Sequence, residues 1–357
     1  MKEIICLSPS RWSTFPSRTQ QLMARLTGAK LLFFEPPGHR QVSSGRKVRP
    51  GITVYTLPPI LDVDERHRLL FQRGCHKQAR FILRQMEHHR IREPLFWCGT
   101  PEGVHFLELI PHRGVVYDCA RDWSDLPPRW ESDMALAADV VFAASQQLVE
   151  HLAPCNDNIA LLPNGVNFPM FTRPPTERPQ ELVHLPGPIL GYVGTIWSDL
   201  DLTPALYAAR ALPSATLVFL GRRMANPTAD ALEHMPNVRF LGPRTPVEVP
   251  DYLSCFDVCM NFLRLNDPEN DILSPRIYEY LASGAPIVSM LCMDQVEPYP
   301  DVIYSAHTPE RFGQLCAVAL RETGSWARTR RREHAAQAAW SLRSEQALRI
   351  LSAIGLY

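Results

Sequence analysis

The sequence predicts an α/β protein made of two doubly wound, parallel sheets packed between helix layers. Three observations carry this. Short apolar runs alternate with amphipathic stretches along nearly the whole chain, the pattern of parallel strands joined by helical crossovers. At 357 residues the chain is long for one domain and comfortable for two. Phe168–Pro188 interrupts the alternation with six prolines, at 169, 174, 175, 179, 186 and 188, and marks a junction. The expected domains are residues 1–167 and 168–334, with a C-terminal helix of about 335–357 returning to the first.

In the first half, Ile4–Leu7, Leu31–Phe34, Ile52–Leu57, Leu95–Cys98, Val115–Tyr117 and Val140–Ala143 read as buried strands. Thr19–Leu26 reads as a helix, and so does Arg66–Arg90, where Cys75, Ala79, Ile82, Leu83 and Met86 share one face. Its other face carries Arg73, Lys77, Arg80 and Arg84. In the second half the expected strands are Ile189–Val193, Thr216–Leu220, Val238–Leu241, Val258–Phe262, Ile287–Met290 and Val302–Tyr304. Helices are expected at Leu202–Ala211, Pro246–Cys255 and along most of Trp326–Ile354. Ligands of such sheets bind beyond the carboxyl ends of the strands, so a cleft between two facing domains is the default site.

Composition excludes several classes. Nine scattered cysteines with no CxxC pair fit reduced thiols, not a disulfide scaffold or a zinc site. No apolar run is long enough to span a bilayer, and no signal peptide is evident, so a cytoplasmic location is expected. The net charge is zero, yet residues 1–92 hold seventeen Lys/Arg against six Asp/Glu, a local +11. No nucleic-acid module accompanies that excess. The expected partner of the basic segment 66–92 is an anionic membrane surface, with the protein peripheral at its inner face.

The most informative segment is Asp271–Ser289, DILSPRIYEYLASGAPIVS. Ser274 can cap a helix, Pro275 fits its first turn, Gly284 stops it before Pro286, and Ile287–Val288 begins a buried strand. A helix N-terminus offers amide hydrogens and partial positive charge to a phosphate. Arg276 just inside that terminus and Glu279 one turn later are the residue types that a diphosphate and a ribose require. The same residues also suit a solvated first turn that binds nothing. Asp62-Val63-Asp64 has the letters of a metal-binding DxD but does not follow a donor-type strand, and no metal is expected.

Several stretches together resemble one family. LLPNGVNFPMF (161–171), ILGYVGTIWSDLDL (189–202) and SPRIYEYLASGAPIVS (274–289) stand in the order seen in GT-B glycosyltransferases of the retaining family-4 group. YDCARDW (117–123) followed by AADVVFAAS (137–145) is similar to members that build teichuronic-acid-type polysaccharides. The resemblance implies two Rossmann-like domains facing across a cleft. It implies transfer of a sugar, with retention, from a nucleotide-diphosphate donor to a glycan or lipid-linked acceptor, without a metal or other cofactor.

It also implies site residues. Glu279 matches the glutamate that holds the donor ribose. Asp271 stands where the family carries a glutamate contacting sugar hydroxyls. Ile272, Leu273, Ser274 and Pro275 lie along the donor, Arg276 replaces a lysine, and Gly194 and Thr195 begin the loop facing the diphosphate. The basic pair usual after that loop is missing, and Arg222 is the compensating cation; with Asp122 and Asp271 it forms the expected catalytic set. Tyr117-Asp118 and Asp122 line the acceptor side, and Trp12 and Arg18 follow the first strand where loops face the cleft. Two rivals remain open: a nucleotide-sugar 2-epimerase on the same fold, and a non-catalytic membrane-associated scaffold.

Overall fold

The structure is a computed structural model that describes residues 2–38, 44–61, 65–265, 271–290, 299 and 301–357. It divides into two compact units, Met1–Pro163 with Ser341–Tyr357, and Asn164–Trp340.

Unit 1 is built on an eight-stranded sheet. Its strands are β1 (Lys2–Leu7), β2 (Ala29–Glu35), β3 (Arg46–Arg49), β4 (Ile52–Thr56), β5 (Leu95–Cys98), β6 (Gly114–Cys119), β7 (Val140–Ala143) and β8 (Ile159–Leu161). They lie in the order β3-β4-β2-β1-β5-β6-β7-β8, all parallel except the edge pair β3–β4. Central strands carry side chains buried on both faces, as in β5 where all four residues are buried, so they read as continuous apolar runs. The helices are α1 (Arg18–Met23), α2 (Arg68–His88), α3 (Pro128–Ala137) and α4 (Gln146–Leu152). Ser17 and Ser145 cap α1 and α4 by accepting from Gln20 N and Leu148 N. Helix α2 buries Cys75, Ala79, Ile82 and Met86 and leaves Arg73, Lys77, Arg80 and Arg84 exposed.

Unit 2 carries a six-stranded, all-parallel sheet of β9 (Ile189–Val193), β10 (Thr216–Leu220), β11 (Val238–Gly242), β12 (Val258–Asn261), β13 (Ile287–Ser289) and β14 (Ile303–Ser305), in the order β11-β10-β9-β12-β13-β14. Its helices are α5 (Phe168–Thr172), α6 (Gln180–Val183), α7 (Thr203–Ala211), α8 (Pro227–Glu233), α9 (Val249–Leu253), α10 (Pro275–Ser283), α11 (Pro309–Ala319) and α12 (Trp326–Gln337). Two apolar clusters cover opposite faces of this sheet, one around Ile277, Tyr280 and Leu281, the other around Tyr192, Phe219 and Phe262.

The unit boundary lies between Pro163 and Asn164, ahead of the position after Asn167 expected from the sequence. The reason is local bonding. Val166 N donates to Ala338 O (3.0 Å), Trp340 N donates to Val166 O (2.9 Å), and Asn164 Nδ2 donates to Leu273 O (3.1 Å). The proline-rich segment therefore belongs to unit 2. Its prolines start short helices, with Pro169 in the first turn of α5 and Pro179 at the N-cap of α6. Arg173 pins the segment through two hydrogen bonds to Asp251, at 2.9 and 2.8 Å. The return of the tail to unit 1 starts at Ser341 instead of about 335, within the helix Trp340–Ala353.

Arg331 of α12 is fully buried. It bonds Glu322 through both terminal nitrogens (2.7 and 2.5 Å), and donates to Val302 O (2.9 Å) and Gly284 O (3.2 Å). It thereby ties the end of α10 to the approach to β14. Removing one member of a buried pair abandons the other charge, at a cost of about 3–5 kcal/mol. Arg331→Met should lower the urea stability of unit 2 by about that amount, and Arg331→Met combined with Glu322→Leu should recover most of the loss.

Candidate functional site

The site begins at the carboxyl ends of β9 and β10. Gly194 (φ 146°) and Gly221 (φ 154°) each follow one of these strands in a conformation that side chains rarely adopt. They abut so closely that a Cβ on Gly221 would collide with the Gly194 carbonyl. A Cβ on Gly194 would in turn collide with the Arg276 guanidinium. The glycines thus make room for a charged group at the strand ends.

Helix α10 delivers that group. Ser274 has extended N-cap backbone (φ −68°, ψ 149°), Pro275 occupies the first turn, and Gly284 closes the helix in the left-handed region (φ 81°). The Ser274 hydroxyl makes no capping hydrogen bond, a correction to the expected side-chain cap. Tyr280 anchors the helix: its buried hydroxyl accepts from Val193 N (2.8 Å), beyond the last residue of β9 that pairs with β12. On the helix's leading side, Asn164 holds the Leu273 carbonyl and so fixes the loop Asp271–Ser274.

Arg276 lies half-buried with its guanidinium over the Tyr192 ring (4.6 Å to the centroid) and its Nη1 donating to Asn261 Oδ1 (3.4 Å). Asn261 is held in turn by the Ser289 hydroxyl (2.9 Å). No carboxylate forms a salt bridge with Arg276 among the described residues. Burial opposes its charge, but Tyr192, Tyr280 and Glu279 outweigh burial and hold the guanidinium firmly protonated. Burial raises the Glu279 carboxyl to about 7, against the pull of Arg276. A guanidinium with no salt bridge among the described residues and a carboxyl poised near neutrality one turn along, both at a helix start, could together receive an anionic, hydroxyl-bearing ligand.

The remaining residues singled out from the sequence fall into two groups. Thr195 joins the site through its carbonyl, which accepts from the Tyr192 hydroxyl (3.2 Å). Arg222 is exposed and has no ion pair among the described residues, whereas Arg223 is bound to Asp230 and to Glu233 (2.9 Å). Asp271 and Ile272 are half-buried and Leu273 is buried in the lead-in loop. In unit 1, Arg18 and Asp118 form a buried ion pair (2.9 Å) that joins the start of α1 to β6. Trp12 packs edge-on against Phe33 (5.1 Å), and its backbone N donates to Glu35 Oε2 (3.0 Å), so it anchors its own loop. Asp122 is exposed and accepts from Ser124 N (2.7 Å). Asp62 and Asp64 lie outside the described residues. Among the described residues no cluster of His, Cys, Asp or Glu could hold a metal ion, and no helix is long and apolar enough to cross a membrane.

Asn164, Tyr192, Asn261 and Tyr280 were not singled out as site residues from sequence. Each acts through the group it holds. Asn164, Tyr192 and Tyr280 lie inside the quoted motifs, whereas Asn261 carried no local signal.

No protein-family model matches the chain. TuaH of Bacillus subtilis strain 168, assigned to teichuronic acid biosynthesis as a glycosyltransferase, is 24% identical over 254 residues, covering 64% of this chain and 64% of its own length. Sucrose-phosphate synthase from Thermosynechococcus elongatus superposes with a TM-score of 0.75 at 17% identity, over 99% of this chain and 100% of that one. The fold is GT-B. HepE from Anabaena, solved in complex with UDP and glucose, superposes with a TM-score of 0.70 at 14% identity over 99% and 100% of the two chains. An E. coli trehalose-6-phosphate structure bound with UDP-2-fluoro glucose gives a TM-score of 0.76 at 10% identity, over 98% and 99%.

Two outcomes follow from this geometry. A carboxyl raised in the folded state destabilises the fold once it ionises, so the penalty is full above about pH 7 and vanishes below the unfolded-state value. Glu279→Gln should therefore raise the melting temperature at pH 8 by about 2–4 °C and change it little at pH 4. Tyr280→Phe should cost about 1 kcal/mol, because Val193 N loses its acceptor in a part-buried setting.

Proposed function

We propose that the protein is a glycosyltransferase that moves a sugar from a nucleotide-diphosphate donor, with UDP as the carrier, to a glycan or lipid-linked acceptor in cell-envelope or exopolysaccharide synthesis. The observation that carries this reading is the half-buried Arg276, in no salt bridge among the described residues and set at the start of α10 against Gly194. Glycosyl transfer builds negative charge on the departing diphosphate, and preorganised cations and amides lower that barrier. In this reading Arg276, the amides at the start of α10 and the Gly194-Thr195 turn receive the diphosphate, with Arg222 as a second cation. Glu279 accepts from the ribose hydroxyls. Asp271 and the backbone through Pro275 run along the sugar. The UDP bound by HepE supports uridine as the base. Transfer proceeds with retention and without a metal, the departing phosphate taking the acceptor proton. The exposed basic face of α2 within residues 66–92 docks electrostatically on an anionic membrane surface, each residue contributing about 1 kcal/mol.

A thermal-shift panel of UDP, GDP, dTDP and ADP tests the donor site. UDP at about one hundred times its Kd should stabilise the chain by about 2.7 kcal/mol. Arg276→Gln and Glu279→Ala should erase that shift, and UDP affinity should fall between pH 8 and 6 as Glu279 takes up its proton. Full UDP affinity in Glu279→Ala would refute the assignment. Isomerisation of the donor sugar without any acceptor would favour the epimerase.

A further inference from the structure

The ion pair that occupies Arg18 and Asp118 turns both charges inward, so the acceptor side of unit 1 needs other groups. A cavity of about 460 Å³ supplies them, within the range of roughly 300–1,000 Å³ usual for small-molecule sites. Arg68, Phe71, His105, Arg129, Trp130 and Asp133 line it. They come from the start of α2, the 3-10 turn Pro101–Phe106 and the start of α3, the segments that follow β4, β5 and β6. The cavity therefore sits at the carboxyl edge of the sheet, where doubly wound folds take their ligands.

Its wall is aromatic. Phe71 stacks on Trp130 (5.7 Å, 29°), and His105 meets both edge-on, at 4.8 and 4.7 Å. Trp130 is buried at its base and Phe71 half-buried. An aromatic face carries partial negative charge, which favours the C–H face of a sugar ring. The rim is charged. Arg129 Nε is taken by Asp133 Oδ2 (3.1 Å). Arg68 is exposed and has no ion pair among the described residues. A guanidinium fork matches a carboxylate or a phosphate, and Gln72 and Asp133 offer partners for ring hydroxyls. The surrounding segment carries the chain's basic excess, which draws anions toward it.

We propose that this cavity binds an acidic sugar unit of the acceptor, a hydroxylated ring bearing a carboxylate or phosphate, with the ring on the Phe71–Trp130 wall and the anionic group on Arg68. The proposal rests on the glycosyl-transfer reading above for the word acceptor; the ligand chemistry stands on the cavity alone.

The test is an NMR titration of the full chain with methyl β-glucuronide, glucose 6-phosphate and the neutral methyl β-glucoside. At least one anionic probe should bind about tenfold more tightly than the neutral one, and the ranking of the two identifies carboxylate or phosphate as the natural group. Arg68→Gln, at an exposed position, should remove that preference, and Phe71→Ala should weaken all three probes. Equal binding of charged and neutral rings, no binding of any, or an Arg68→Gln variant that keeps its preference would overturn the proposal. The UDP-induced thermal shift is read in the same samples and should survive Arg68→Gln. Its absence in the wild type would refute the donor reading separately, whatever the sugar titration gives.

Discussion

A guanidinium taken partly out of water with no salt bridge among the described residues is the constraint on which unit 2 depends. Such a group is costly to bury, and the structure offsets the cost with a ring, a side-chain amide and the removal of a Cβ. Tyr192 lies under Arg276, Asn261 accepts from it, and Gly194 gives it space. Tyr192 lies in β9, Gly194 follows its end and Asn261 ends the neighbouring β12, so the cation is held by two adjacent strands of the sheet. A group held this rigidly needs no reorganisation when a negative charge arrives, which is the property electrostatic catalysis draws on.

The supports around it are arranged hierarchically. Tyr280 fixes α10 to β9, Asn164 fixes the loop in front of α10, and Arg331 fixes the helix's far end. The carboxyl of Glu279 is kept near neutrality by the same burial that holds Arg276 in place. The site therefore carries stored electrostatic cost on two adjacent turns, a pattern that marks a functional region more than a structural one.

Most strands were legible because parallel sheets bury both faces and leave unbroken apolar runs. Leu95–Cys98, Val140–Ala143, Ile189–Val193 and Thr216–Leu220 stand where the pattern placed them. Strand β3 was not legible: Arg46–Arg49 is an antiparallel edge strand with a single valine, held by its neighbour and not by burial. The prolines of 168–188 were read as a domain junction because composition cannot tell a helix-starting proline from one in a connecting segment. At the site, Arg276 and Glu279 were visible because a capped helix start has a local signature. Asn164, Asn261 and Tyr192 were invisible as partners, because their roles depend on contacts across many residues. In unit 1, Arg18 and Asp118 were read as separate candidates, yet across one hundred residues of sequence they form one buried ion pair. The Phe71–His105–Trp130 wall draws one ring from each of three separated segments, so no motif could announce it.

The return of residues 341–357 to unit 1 sets the order in which the chain can mature. Leu356 packs where a Cβ on Gly114 would collide with it, and the Tyr357 hydroxyl donates to Thr27 O (2.9 Å). Unit 2, by contrast, is one uninterrupted stretch whose two ends are hydrogen-bonded to each other through Val166, Ala338 and Trp340. During translation the half made second is therefore free to close as soon as it emerges. The half made first must wait on the ribosome, with part of its interior uncovered, until its tail arrives, and that interval is when it is most exposed to aggregation.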